Sequence, residues 1–163
     1  METRLEPLLV IGIGNPFRGD DGAGIAVARH LKNRLPETVN IIEASGEATA
    51  LMDAWQEADR VVVVDAVRAN AAPGTVKRID LVQQDLPPEV VRSSSHQLGF
   101  AEAIELARAL KRLPSHLVLI GIQGIDFSEG HRLSPSVKAA LEKAGAEVIE
   151  VIESWDCGST RGN

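Results

Sequence analysis

Leu8-Leu9-Val10-Ile11-Gly12-Ile13-Gly14-Asn15-Pro16-Phe17-Arg18-Gly19-Asp20-Asp21-Gly22-Ala23-Gly24 reads as a buried strand, a glycine-rich turn and the start of a helix. A turn of this kind usually cradles a phosphate. Here the third glycine of G-x-G-x-x-G is replaced by Phe17, and Pro16 removes an amide donor. Asp20 and Asp21 would repel a pyrophosphate at the helix start. Glu43, near the end of the second strand, could imitate a ribose-binding acid, but the partial motif is weak support for a dinucleotide. Acids in this turn favour cation binding over anion binding.

Outward from this stretch, the same alternation continues. Ile25, Val27, Ala28, Leu31 and Leu35 recur at helical spacing up to Pro36, and residues 39–44 form a second strand. Leu51, Met52 and Trp55 mark one face of a short helix. Val61, Val62, Val63 and Val64, followed by Asp65, form a central strand buried on both faces. After the turn Ala72-Pro73-Gly74, residues 75–79 suit an edge strand. Residues 86–95 read as loop. Leu98, Ala101, Ile104, Leu106 and Leu110 predict a helix, and residues 117–122 another buried strand.

The last helix starts at Ser134-Pro135, with proline in the first helical position. Val137, Leu141, Ala144, Val148 and Ile152 carry its apolar stripe. Gly145 is a weak point, and residues 147–153 suit a strand as well as a helix. Residues 154–163 read as a polar, flexible tail. The whole chain, 1–163, is expected to be one domain. Its class is α/β: a three-layer sandwich with a mostly parallel twisted sheet of about five strands, one of them antiparallel, and helices on both faces. Right-handed crossovers give strand order 2-1-3 at its start. The crevice at that switch point, beyond the carboxyl ends of the strands, is where such sheets bind ligands.

Composition narrows the partners. The 163 residues are 44% hydrophobic and 25% charged, with 3% aromatic and no Tyr. The core must be aliphatic, and base-stacking platforms are not expected. A formal net charge of −6 argues against nucleic acid and anionic membranes. The only cysteine is Cys157, which precludes an internal disulfide and fits a reducing cytoplasm. No signal peptide is recognised, and the run Leu8–Ile13 is too short to span a bilayer. The chain is read as a monomer.

Asp20, Asp21 and Asp65 fall at the mouth of one crevice. Either acid of the pair could cap the helix that follows, and Asp65 could be merely the first solvated residue after a buried strand. Together they suggest more. Two carboxylates about 4 Å apart repel by about 4 kcal/mol at an effective dielectric near 20, which a cation or shared proton relieves. Carboxylates alone suit magnesium or calcium, and an added imidazole shifts preference towards zinc or nickel. Of the four histidines, His30 lies on the first helix, His116 precedes a strand and His131 lies in a polar loop. His96 follows three serines and opens His96-Gln97-Leu98-Gly99-Phe100-Ala101, in a loop before a helix.

Taken in order, Gly12-x-Gly14-Asn15 with Asp20-Asp21-Gly22-x-Gly24, then Asp65-Ala66 after the valines, then Ser95-His96-Gln97-Leu98, resemble the hydrogenase maturation proteases over nearly the whole chain. The resemblance implies an endopeptidase that removes a C-terminal extension from the nickel-loaded precursor of a nickel–iron hydrogenase large subunit. It implies a metal and catalytic site of Asp21, Asp65 and His96, which leaves Asp20 as the helix cap. The metal would be nickel supplied by the substrate, with cadmium or zinc as substitutes in a crystal. Many members carry Asp-Gly-Gly-Thr after the second strand, where this chain has Glu43-Ala44-Ser45-Gly46-Glu47-Ala48-Thr49, so no role is carried over there. The sequence has no G-x-S-x-G elbow, no H-E-x-x-H helix and no cysteine dyad. The runners-up are another metal-assisted amide hydrolase and a non-catalytic nickel-sensing or chaperone module.

Overall fold

A computed structural model describes residues 7–91, 97–130 and 132–158. The decisive stretch folds as a strand followed by a short turn and a helix. β1 (Leu8–Ile13) is buried at all six positions. A 3-10 turn (Gly19–Gly22) then leads into α1 (Ala23–Leu31). The helix stops short of Leu35, which still packs on the core beneath it.

β2 (Asn40–Ala44), α2 (Ala48–Trp55) and β3 (Arg60–Val67) follow. Then come β4 (Val76–Asp80), the short α3 (Pro88–Val91), α4 (Gln97–Ala109), β5 (His116–Gln123) and α5 (Pro135–Gly158). The five strands make one sheet of order β2-β1-β3-β5-β4. All pairs are parallel except β4 with β5. β3 is central and buried at all eight positions, as a strand covered on both faces must be.

Strand alternation divides the core in two. Val62, Val64, Ile120 and Ile122 face α1 and α5. Val61, Val63, Leu117 and Leu119 face Leu51 and Trp55 of α2 and Phe100, Ile104 and Ala107 of α4. The three-layer α/β sandwich is therefore present, with the antiparallel strand at one edge.

Two local expectations are corrected, and one left open between helix and strand is resolved. Residues 88–91, read as loop, form α3, where Val90 is buried. Residues 147–153 are helical, because Gly145 meets α1 rather than ending α5. A Cβ there would be in ordinary contact, 3.6 Å from Leu31 Cδ2. The helix also runs through Gly158 into the supposed tail. Asp156 Oδ1 accepts a 2.8 Å bond from Arg60 Nη1, and Trp155 packs against the core. Among the described residues, no helix is long and apolar enough to cross a membrane.

Candidate active site

The glycines of the opening stretch make close approaches between backbones. A Cβ on Gly12 would lie 2.7 Å from the Ala28 Cβ and would overlap the Gly24 carbonyl. A Cβ on Gly24 would overlap the carbonyl oxygens of Ile13 and Val64. α1 therefore enters directly against the carboxyl ends of β1 and β3. Gly14 has φ 148°, and a side chain there would strike the Asp21 carbonyl. This contact holds the 3-10 turn down on the end of β1.

That geometry brings Asp21 and Asp65 to the same end of the sheet. Asp21 sits in the turn packed on β3, and its Oδ2 accepts a 3.0 Å bond from the Asn15 amide. The Asn15 side chain in turn accepts from the Phe17 amide at 2.9 Å. Asp65 is two positions beyond Val63, so alternation turns it to the face of β3 that α2 and α4 cover. The two acids are 7% and 3% exposed. Asp65 is thus a buried group inside β3, and reading it as a solvated strand end is corrected. Buried carboxylates need strong polar partners or a cation.

The crevice has further walls. A Cβ on Gly99 would overlap the Gly46 carbonyl, so the first turn of α4 lies against the loop after β2. The loops after β3 and β5 are stitched by Gln123. Its Oε1 accepts from the Ala69 amide at 2.9 Å, and its Nε2 donates to the Gly124 carbonyl at 3.0 Å. Arg68 stacks over the Phe127 ring at 4.0 Å. Phe17 and Ile125 stand exposed at this end.

His96 directly precedes α4 in sequence but lies outside the described residues, as does His131. Among the described residues no three His, Cys, Asp or Glu side chains gather as a metal site. The structure places two of the three expected donors at the same end of the sheet. Carboxylate oxygens joined by an imidazole would form a mixed set suited to a borderline divalent metal such as nickel or zinc. His30 and His116 are exposed. The His116 ring lies 5.3 Å from that of Trp155, away from the crevice at the start of β5.

The role expected for Asp20 is corrected. It does not cap α1, whose N-cap is Gly22 with no side-chain bond. Asp20 is fully buried. Its Oδ2 accepts from the amides of Ile125 (2.9 Å) and Asp126 (3.0 Å), and its Oδ1 from that of Ser134 (2.7 Å). The Ser134 hydroxyl donates to both oxygens. Burial pushes the carboxyl's pKa up, but the amide bonds from Asp126, Ile125 and Ser134 and the Ser134 hydroxyl outweigh it, for a net lowering. The sequence held no local signal for this, since the partners lie more than one hundred residues away.

Glu43 is not poised for a ribose. Its Oε1 accepts from Arg29 Nη2 at 2.8 Å and its Oε2 from Lys32 Nζ at 3.3 Å. The Arg29 bond lowers its pKa against the upward push of partial burial, with Lys32 helping. A carboxylate with a lowered folded pKa stabilises the fold above its ordinary value near 4.5 and loses that contribution as pH falls through the folded value. Arg29 is 59% exposed, so screening keeps the effect small. Glu43→Gln should cost about 0.5 kcal/mol at pH 7 and progressively less as pH falls below the ordinary carboxylate value, read from urea denaturation across an acid pH series.

Comparison with known proteins agrees with this architecture. A family model described as hydrogenase maturation protease (HycI) matches residues 25–151. The chain is 34% identical over 154 residues to the hydrogenase expression/formation protein HupD of Bradyrhizobium diazoefficiens, covering 91% of this chain and 79% of that protein. It is 30% identical over 162 residues to HupD of Rhodobacter capsulatus, covering 96% and 76%. Among solved structures, the hydrogenase maturating endopeptidase HybD from E. coli superposes with a TM-score of 0.76 at 25% identity, covering 90% of this chain and 92% of that one. The [NiFe] hydrogenase maturation protease HybD from Thermococcus kodakarensis gives 0.71 at 26% identity, covering 88% and 97%. With the acids of the first turn and of β3 held at the switch point of this sheet, the chain belongs to the hydrogenase maturation proteases, a family of peptidases.

Proposed function

We propose that this peptidase removes a C-terminal extension from the nickel-loaded precursor of a nickel–iron hydrogenase large subunit, and that it reads the nickel before cutting. The observation that carries this is the pair of buried carboxylates, Asp21 in the turn after β1 and Asp65 in the adjacent β3, at one end of the sheet of a maturation-protease fold. Both acids precede His96 in the order the family resemblance requires. The nickel belongs to the substrate. Asp21, Asp65 and His96 would offer it two carboxylates and an imidazole, and a bound metal would polarise the scissile carbonyl or a water.

The chain's own residues have two tasks in this reading. They receive the metal-bearing segment at the switch point, and one carboxylate takes a proton from the attacking water. Asn15 holds Asp21 by its amide. A cytoplasmic setting fits a chain whose single cysteine forms no internal disulfide.

Intact-mass measurement of the precursor tests the proposal. Purified enzyme is incubated with nickel-loaded and nickel-free precursor. Loss of one C-terminal peptide from the loaded form alone is the expected result. A stable complex with no mass loss would instead make the protein a chaperone-like module. Equal cutting of both forms would overturn the reading of nickel.

A further inference from the structure

We propose that Asp20 is the positioning residue of this site, fixing the turn that carries Asp21. The inference rests on the reading of Asp21 as a site residue. The turn Gly19–Gly22 consists of two glycines and two aspartates, all four buried. It has no apolar side chain with which to anchor itself in the core. Its position must therefore be set by polar contacts, and the Asp20 carboxylate provides a dense set of them.

Those contacts reach two separate parts of the chain. Ile125 and Asp126 lie in the segment after β5, while Ser134 directly precedes α5. The Asp20 amide also donates to the Asp126 carbonyl at 2.8 Å, so turn and segment are bonded in both directions. A second tie lies beside it. Gly19 N donates to Gly130 O, and Gly130 N donates to Phe17 O, each at 2.9 Å. Ile125, Asp126, Gly130 and Ser134 thus brace the far side of the turn, and the neighbouring carboxylate of Asp21 is turned to Asn15.

Among the described residues, the groups hydrogen-bonded to the Asp20 carboxylate are all donors: three amides and one hydroxyl. An asparagine must therefore set its NH2 against an N–H in either orientation. It also loses the charge that strengthens each bond. The Asp20 carboxylate reaches out to Ile125, Asp126 and Ser134, so it acts on its neighbour Asp21 through the backbone of the turn they share.

The test uses the full chain in four variants: Asp20→Asn, Ser134→Ala, Val148→Ala and Asp65→Asn. Val148 is fully buried on the core-facing side of α5, and its truncation supplies a loss of stability unrelated to the turn. Processing of nickel-loaded precursor is resolved into kcat and KM below each variant's melting temperature. Asp20→Asn should lower kcat by about 10–100-fold, the range for groups that orient ligands, with KM little changed. Ser134→Ala should lower it less, since only the hydroxyl is lost. Val148→Ala should melt earlier yet keep its kcat.

Wild-type kcat in folded Asp20→Asn would overturn the inference, and so would an equal fall of kcat in Val148→Ala. Should Asp20→Asn not fold, Ser134→Ala decides: a lowered kcat supports the role and an unchanged kcat refutes it. Failure of the underlying reading looks different, because Asp65→Asn would then process precursor normally.

Discussion

Asp65→Asn is expected to slow precursor processing by about 10³-fold while the protein stays folded. The substitution keeps the shape of the side chain, so the packing of β3 between β1 and β5 is undisturbed. It removes the charge of a carboxylate that is 3% exposed. A group acting as base contributes about 10²–10⁴-fold, and a lost metal contact falls on the same step. Asp21→Asn should behave alike, since its remaining oxygen can still accept from Asn15. The measurement is a mass-resolved time course on nickel-loaded precursor, with circular dichroism to verify folding. Normal rates in both variants would remove these acids from the mechanism.

Much of the fold could be read because it is written in local patterns. The valines of β3 have no polar partner face, so they must be central. The run of β1 ends in glycine, so the strand must turn there. The order 2-1-3 follows from right-handed crossovers that reverse direction to cover both faces of the sheet, and it puts Asp21 and Asp65 at the same end of that sheet. What stayed hidden depends on distant partners. Gly145 reads as a helix breaker until its contact with α1 is seen. Residues 154–158 read as a tail until Arg60, 96 positions earlier, is found bonded to Asp156. Asp20 and Asp21 are identical in local sequence terms. The distant amides of Ile125, Asp126 and Ser134 bonded to Asp20, and that of Asn15 bonded to Asp21, are what tell the two apart.

Gly24→Ala should destabilise the protein by about 3 kcal/mol or more, the upper range for overpacking a dense site. At this chain length that lowers the melting temperature by about 6–12 °C. Two effects compete. Alanine favours a helix over glycine by about 1 kcal/mol, which alone would stabilise α1. Against it, the new Cβ would overlap the carbonyl oxygens of Ile13 and Val64. These are backbone atoms of two paired strands, and they cannot swing aside as a flexible side chain would. The helix must lift, and steric overlap wins. Gly145→Ala is the matched control. Its Cβ would meet Leu31 Cδ2 at 3.6 Å and His30 Cδ2 at 3.8 Å, both ordinary contacts. Helix propensity should then win, giving a gain of about 1 kcal/mol. Thermal melts of the two variants check the opposite signs, and equal shifts would refute the argument. The lift of α1 also displaces the adjoining turn, so Gly24→Ala should slow processing even where it remains folded, whereas Gly145→Ala should not. The glycines that first suggest a phosphate cradle would then be what lets helix and sheet close together around Asp21.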